Sequence, residues 1–82
     1  MRKYTMTFTF CETNEVTDKF ESDGLEYLKT KFRKKFFHHD GFRGWIRTTD
    51  LLDYEFSIID NATGADVTED AVRKMRLFEN VR

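Results

Sequence analysis

Residues 4–10 read Tyr-Thr-Met-Thr-Phe-Thr-Phe, a strict alternation of large apolar and β-branched polar side chains. In an extended chain this puts Tyr4, Met6, Phe8 and Phe10 on one side and the threonines on the other, in residue types that favour strands. The stretch predicts a half-buried strand, and the rest of the chain is read by asking what covers its apolar side. Leu52, Tyr54, Phe56 and Ile58 repeat the alternation, and the ring and β-branched residues of 45–49 precede them, so two further antiparallel strands are expected. After a turn centred on Asn14, Val16, Asp18 and Phe20 predict a weaker strand folded back on the first.

Two segments have helical spacing. Asp23 stands as an N-cap with Glu26 three residues on, and Leu25, Leu28, Phe32, Phe36 and His39 follow at intervals of three and four, one stripe at about 100° per residue. A helix over 24–40 is predicted, with its stripe on the core and Gly41 closing it in the left-handed conformation. Its outer arc carries Tyr27, Lys31, Lys34, Lys35 and His38, and Phe37, well off the stripe, is expected as an exposed ring. The turn chemistry of residues 60–64, with Gly64 free to take positive φ, ends the preceding strand. Thr68 then caps a second helix whose buried face is Ala71, Val72, Met75 and Phe78. The fold class is α+β: a small antiparallel sheet of three or four strands with two helices on one face, in the order β-(β)-α-β-β-α.

The 82 residues make a single domain, 1–82, because so short a chain cannot be divided between two cores. Leu, Ile, Val and Phe fill 21 positions, above the fifth of the chain that marks disorder, and nine of them are Phe. The lone Cys11 allows no internal disulfide or Cys-x-x-Cys site and points to the cytoplasm. Met1-Arg2-Lys3 leads into an alternating strand, which predicts no secretory leader, and no run of apolar residues approaches the roughly 20 that span a bilayer, so no membrane partner is expected.

The net charge of −1 conceals a strong asymmetry. Residues 27–47 hold Lys29, Lys31, Arg33, Lys34, Lys35, Arg43 and Arg47 against Asp40 alone. Residues 48–70 hold seven carboxylates and no cation. In the basic half the cations are interleaved with rings, Phe42 and Trp45 among them, and such a mixture neutralises phosphates while stacking on bases. Both effects favour single strands or RNA over duplex DNA. Lys31, Lys34, Lys35, His38, Phe42, Arg43, Trp45 and Arg47 are therefore the candidate binding residues, expected to converge in one patch.

Motifs for catalysis are weak. His38-His39-Asp40 offers metal ligands, but neighbours on a helix diverge by about 100°. Gly41-x-x-Gly44 lacks the Lys-Ser/Thr pair and the strand-turn-helix setting of a phosphate loop. Asp53 and Glu55 share a strand face without the lysine a metal-dependent nuclease would add. The expectation is a protein that is not an enzyme and carries no metal or cofactor.

In size, absence of proline and density of Lys, Asp, Glu and Phe, the chain resembles the small proteins that tailed bacteriophages use to disable host enzymes or defence systems. The resemblance covers no particular residues. Two functional expectations stand side by side. One is a small non-catalytic binding protein whose basic-aromatic surface, residues 24–40 with 42–47, engages RNA or another polyanion. The other is a phage-type inhibitor, acting in the host cytoplasm, that blocks a nuclease, a polymerase or a CRISPR-type ribonucleoprotein by protein–protein contact. The opposite charges of the two halves also allow pairing between copies in a homo-oligomer.

Overall fold

A computed structural model of the chain describes residues 1–47 and 51–81. The alternating segment forms β1, Tyr4–Phe10, the centre of a three-stranded antiparallel sheet. β2, Glu15–Ser22, pairs with it on one edge, after a turn in which Asn14 takes a left-handed φ of 57°. The register shifts between Phe8 and Thr9, a bulge that lets Thr17 fall out of the pairing. On the other edge lies β5, Tyr54–Asp60, in unbroken register from Tyr4↔Asp60 to Phe10↔Tyr54.

Because opposed residues share a face, Met6, Phe8, Phe20, Phe56 and Ile58 project together. α1, Leu25–Phe36, and α2, Thr68–Met75, cover that face, and Leu28, Phe32, Phe36, Ala71, Met75 and Leu77 join Met6, Phe8 and Ile58 in one buried cluster. Phe8 is the hub, with edge-on contacts to Phe20, Phe32, Phe36 and Phe56 at 5.3–6.4 Å. The far face is polar: Thr7 and Ser57 share a hydroxyl hydrogen bond of 2.9 Å, and the Thr5 hydroxyl donates to Asn61.

The α+β class stands, but the stretch after α1 differs from its reading. The helix stops at Phe36, and Phe37 is already extended (φ −130°, ψ 156°). β3, Phe37–Asp40, and β4, Gly44–Arg47, then form a separate two-stranded hairpin. Once the chain is extended, side chains alternate every residue and the 100° count no longer applies. Phe37, expected outside, is 4% exposed against Phe32 and Phe78, and His39, expected in the core, faces solvent. Gly44 (φ 79°), not Gly41, takes the left-handed position.

Smaller corrections follow the same logic. Asp23 does not cap α1; its carboxylate takes the Lys3 amide and Arg2, both at 3.0 Å, and Gly24 occupies the cap. Thr68 is the first residue of α2, with Asp66 accepting its amide and hydroxyl at 2.9 and 2.6 Å. Arg76 ends α2 in the left-handed region (φ 52°), which swings Leu77 inward and leaves Phe78 46% exposed. Leu52 belongs to a single 3-10 turn, Leu51–Asp53, and not to a strand. Thr48 and Thr49, expected to extend the strand from Trp45, lie outside the described residues.

Candidate nucleic-acid interface

The α1 lysines sit over rings. Lys31 Nζ lies 5.3 Å from the Tyr27 ring centre and 5.8 Å from that of Phe20. Lys35 Nζ pairs with Asp18 at 3.0 Å and lies 4.6 Å from the Tyr54 ring centre. Their alkyl stems cover the edge of the core while the ammonium groups stay near water. Lys34 is exposed and has no ion-pair partner among the described residues. With Asp18 and Phe20, the three lysines line a shallow depression of about 250 Å³.

The hairpin presents the second group. Asp40 Oδ1 accepts the amides of Phe42 and Arg43 at 2.8 and 3.2 Å, fixing the turn, and these bonds hold its carboxyl below the ordinary value of 3.8. Gly44, the first residue of β4, pairs with Asp40 and closes the three-residue connection 41–43. At the tip the Phe42 ring is fully exposed, and Arg43 beside it is exposed too. Phe42, Arg43 and Gly44 line one side of a depression whose other side is Asn80 and Val81.

Strand pairing sets which hairpin side chains travel together. Phe37↔Arg47 and His39↔Trp45 share one face, and His38↔Ile46 the other. Trp45 is half-buried: Arg33 stacks on it, His39 meets it edge-on with ring centres 5.2 Å apart, and Val81 bridges it in parallel. Arg33 is itself 8% exposed, donates from Nη2 to the Glu79 carbonyl at 3.2 Å, and has no hydrogen-bond partner for Nε among the described residues.

This packing places five of the eight candidate residues in two groups and leaves three outside both, so the single patch expected of them is not what the packing builds. Around α1, Arg33 is two positions from both Lys31 and Lys35, about 200° of rotation, so they flank the buried stripe on opposite sides. Lys31 and Lys35 belong to the β2 side; Trp45 follows Arg33 to the other. Lys31, Lys34 and Lys35 form the first group, and Phe42 and Arg43 the second. His38 and Arg47 are exposed on opposite hairpin faces, and Trp45 serves as the hairpin's anchor. Sequence reasoning counted Arg33 only in the charge of residues 27–47, gave it no place on the helix, and passed over Asn80 and Val81. The spacing of Arg33 and Phe37, four residues apart with the guanidinium 5.8 Å from the ring centre, was the available signal.

On the acidic half, Asp60 accepts the Ala62 amide, Asp66 holds Thr68 and Asp70 pairs with Lys74 at 2.9 Å, so three of its carboxylates serve local structure. No group of three or more His, Cys, Asp and Glu among the described residues is placed to hold a metal ion. No helix among them is long and apolar enough to cross a membrane. Compared with family models, curated proteins and solved structures, the chain matches none.

Proposed function

We propose that this chain is a small, non-catalytic binding module that engages single-stranded RNA or another polyanion with the α1 lysines and the β3–β4 hairpin. The observation that carries the reading is the hairpin tip. A fully exposed Phe42 stands beside Arg43, a cation without an ion-pair partner among the described residues, on a turn stiffened by Asp40. An exposed ring gains from stacking on a base, and the adjacent guanidinium neutralises the neighbouring phosphate. Lys31 and Lys34 supply further phosphate contacts along α1. The exposed, unpaired Cys11 fits a reducing compartment, the cytoplasm, or the host's cytoplasm if the chain is phage-encoded.

The test is fluorescence anisotropy with a labelled nine-nucleotide uridine oligomer. Lys31→Glu with Lys34→Glu lowers affinity at least about tenfold by exchanging two attractive contacts for repulsive ones. Unchanged affinity in a variant with native circular dichroism overturns the proposal.

The same exposed ring supports one second reading, the inhibitor that plugs a pocket on a host enzyme or defence complex with Phe42 as its hot spot. That reading predicts a stoichiometric complex on gel filtration that survives ribonuclease and is lost with Phe42→Ala. Ribonuclease-sensitive association favours RNA.

A further inference from the structure

The three-stranded sheet has one covered edge and one open edge. Along β5 the outer backbone is engaged: Val67 donates to the Ile58 carbonyl at 2.8 Å, the Ile58 amide donates to the Thr68 hydroxyl at 2.8 Å, and Ile59 bridges Asp66. β2 has β1 on one side and, among the described residues, no backbone hydrogen bond on the other. Antiparallel pairing engages the backbone of alternate residues, so every second N–H and C=O of β2 faces outward, a template for a further strand. From Asp18 to Ser22 the pairing with β1 is regular, clear of the bulge.

The helix-side face of this edge is basic. Asp18 and Phe20 project there, and with Lys31, Lys34 and Lys35 of α1 they line the depression of about 250 Å³. Lys35 pairs with Asp18 and Lys31 lies over Phe20, so three ammonium groups face one carboxylate; Glu15 stands at the start of β2, past the bulge. On the opposite face Lys19 and Glu21 offset each other. An added strand lies about 4.8 Å from β2, which sets its side chains opposite Asp18, Phe20 and Ser22 beside the lysines. A second copy of the same edge would bring Lys31 and Lys35 against their own kind, so the charge selects a different chain. We infer that the β2 edge takes an extended segment of another protein as a fourth strand, with Asp or Glu at alternate positions facing the α1 lysines and neutral residues between. The inference does not rest on the oligonucleotide reading. It gives the protein-contact reading a surface apart from Phe42, and because it uses Lys31 and Lys34, a bound peptide strand and a bound oligonucleotide exclude each other.

The probe is a labelled, end-blocked heptapeptide that alternates Glu and Thr, read by fluorescence anisotropy. Its controls are the same peptide N-methylated throughout, which keeps the carboxylates and loses every backbone N–H, and a heptapeptide alternating Lys and Thr. The wild type is expected to bind the Glu–Thr peptide at least about tenfold more tightly than either control, and Lys31→Glu with Lys34→Glu, native by circular dichroism, to lower that affinity about tenfold. Saturating peptide slows hydrogen exchange at alternate amides of residues 18–22 by about tenfold or more. No measurable peptide binding, equal binding of the N-methylated control, or unchanged exchange along 18–22 overturns the fourth strand. Exchange slowed there by the uridine nonamer and not by the peptide assigns the surface to nucleic acid and overturns it as well. The oligonucleotide reading stands or falls on its own nonamer titration, whatever the peptide does.

Discussion

The guanidinium carbon of Arg33 lies 4.4 Å from the centre of the Trp45 ring. That contact joins three pieces of chain: α1, which carries Arg33; the hairpin, which carries Trp45; and the C-terminal segment, whose Glu79 carbonyl takes the Arg33 Nη2 hydrogen. Among the described residues no carboxylate pairs with Arg33, and a buried cation is costly unless something else satisfies it. Here the faces of Trp45 and Phe37 and one carbonyl do so. Arg33 thus anchors the hairpin to the body through Trp45, one pair below the turn, while the Phe42 ring at the tip stays exposed.

Replacing the clamp therefore loosens the hairpin. Arg33→Ala lowers unfolding free energy by about 2–4 kcal/mol, combining a desolvated cation–ring contact with lost packing. Because Trp45 is the single tryptophan, its emission reports the change directly and moves to longer wavelength. Urea unfolding with fluorescence detection checks both. Stability within about 0.5 kcal/mol of wild type, the ordinary range of a surface change, contradicts the clamp.

Phe42 and Phe8 are the same residue type with opposite consequences. Phe8 is fully buried amid four rings, and Phe8→Ala costs about 3–5 kcal/mol. Phe42→Ala removes a ring that touches water on every side and leaves stability within about 0.5 kcal/mol. Denaturant midpoints of the two variants test the contrast, and a large loss from Phe42→Ala would assign its ring a packing role.

Much of the sheet was legible because β1 and β5 bury one face each, so period two is written into Tyr4 to Phe10 and Tyr54 to Ile58. The core stripe of α1 was equally plain from Leu28, Phe32 and Phe36. The end of the helix was not. Phe36 and His39 continue the helical spacing, while Phe37 packs against Phe32 and Phe78 in the extended conformation, a tertiary contact that spacing does not show. The charge asymmetry of the candidate site could be counted, but direction could not: Lys31 and Arg33 look alike in composition, yet one skirts the β2 edge and the other is buried under Trp45. Asn80 and Val81 were passed over, since their place beside the hairpin turn depends on the left-handed turns at Arg76 and Asn80.

Acid sensitivity follows from four carboxyls held below 3.8 in the folded chain: Asp23 by Arg2, Asp40 by the Phe42 amide, Asp66 by the Thr68 hydroxyl and Asp70 by Lys74. A depressed folded value means that the unfolded chain takes up the proton first as pH falls. Their contribution is complete above the unfolded value near 3.8 and is lost as pH drops through the lower folded values. Lys74 is raised above 10.5 by Asp70, so its share persists until alkaline pH passes that point. Urea midpoints measured across the acid range check this, and Asp66→Asn flattens the acid decline. An acid limb unaltered by that substitution contradicts the role of Asp66 at the start of α2.

The central claim is that exposed cations on α1 and the hairpin meet phosphates, and the salt dependence of oligonucleotide affinity measures it most directly. With Lys31, Lys34, Arg43 and Arg47 each neutralising one phosphate of a single strand, the logarithm of affinity falls against the logarithm of salt with a slope of about −3. Lys31→Glu with Lys34→Glu makes that slope shallower by more than about 1. An affinity indifferent to salt, or no measurable binding at the lowest salt, contradicts the account.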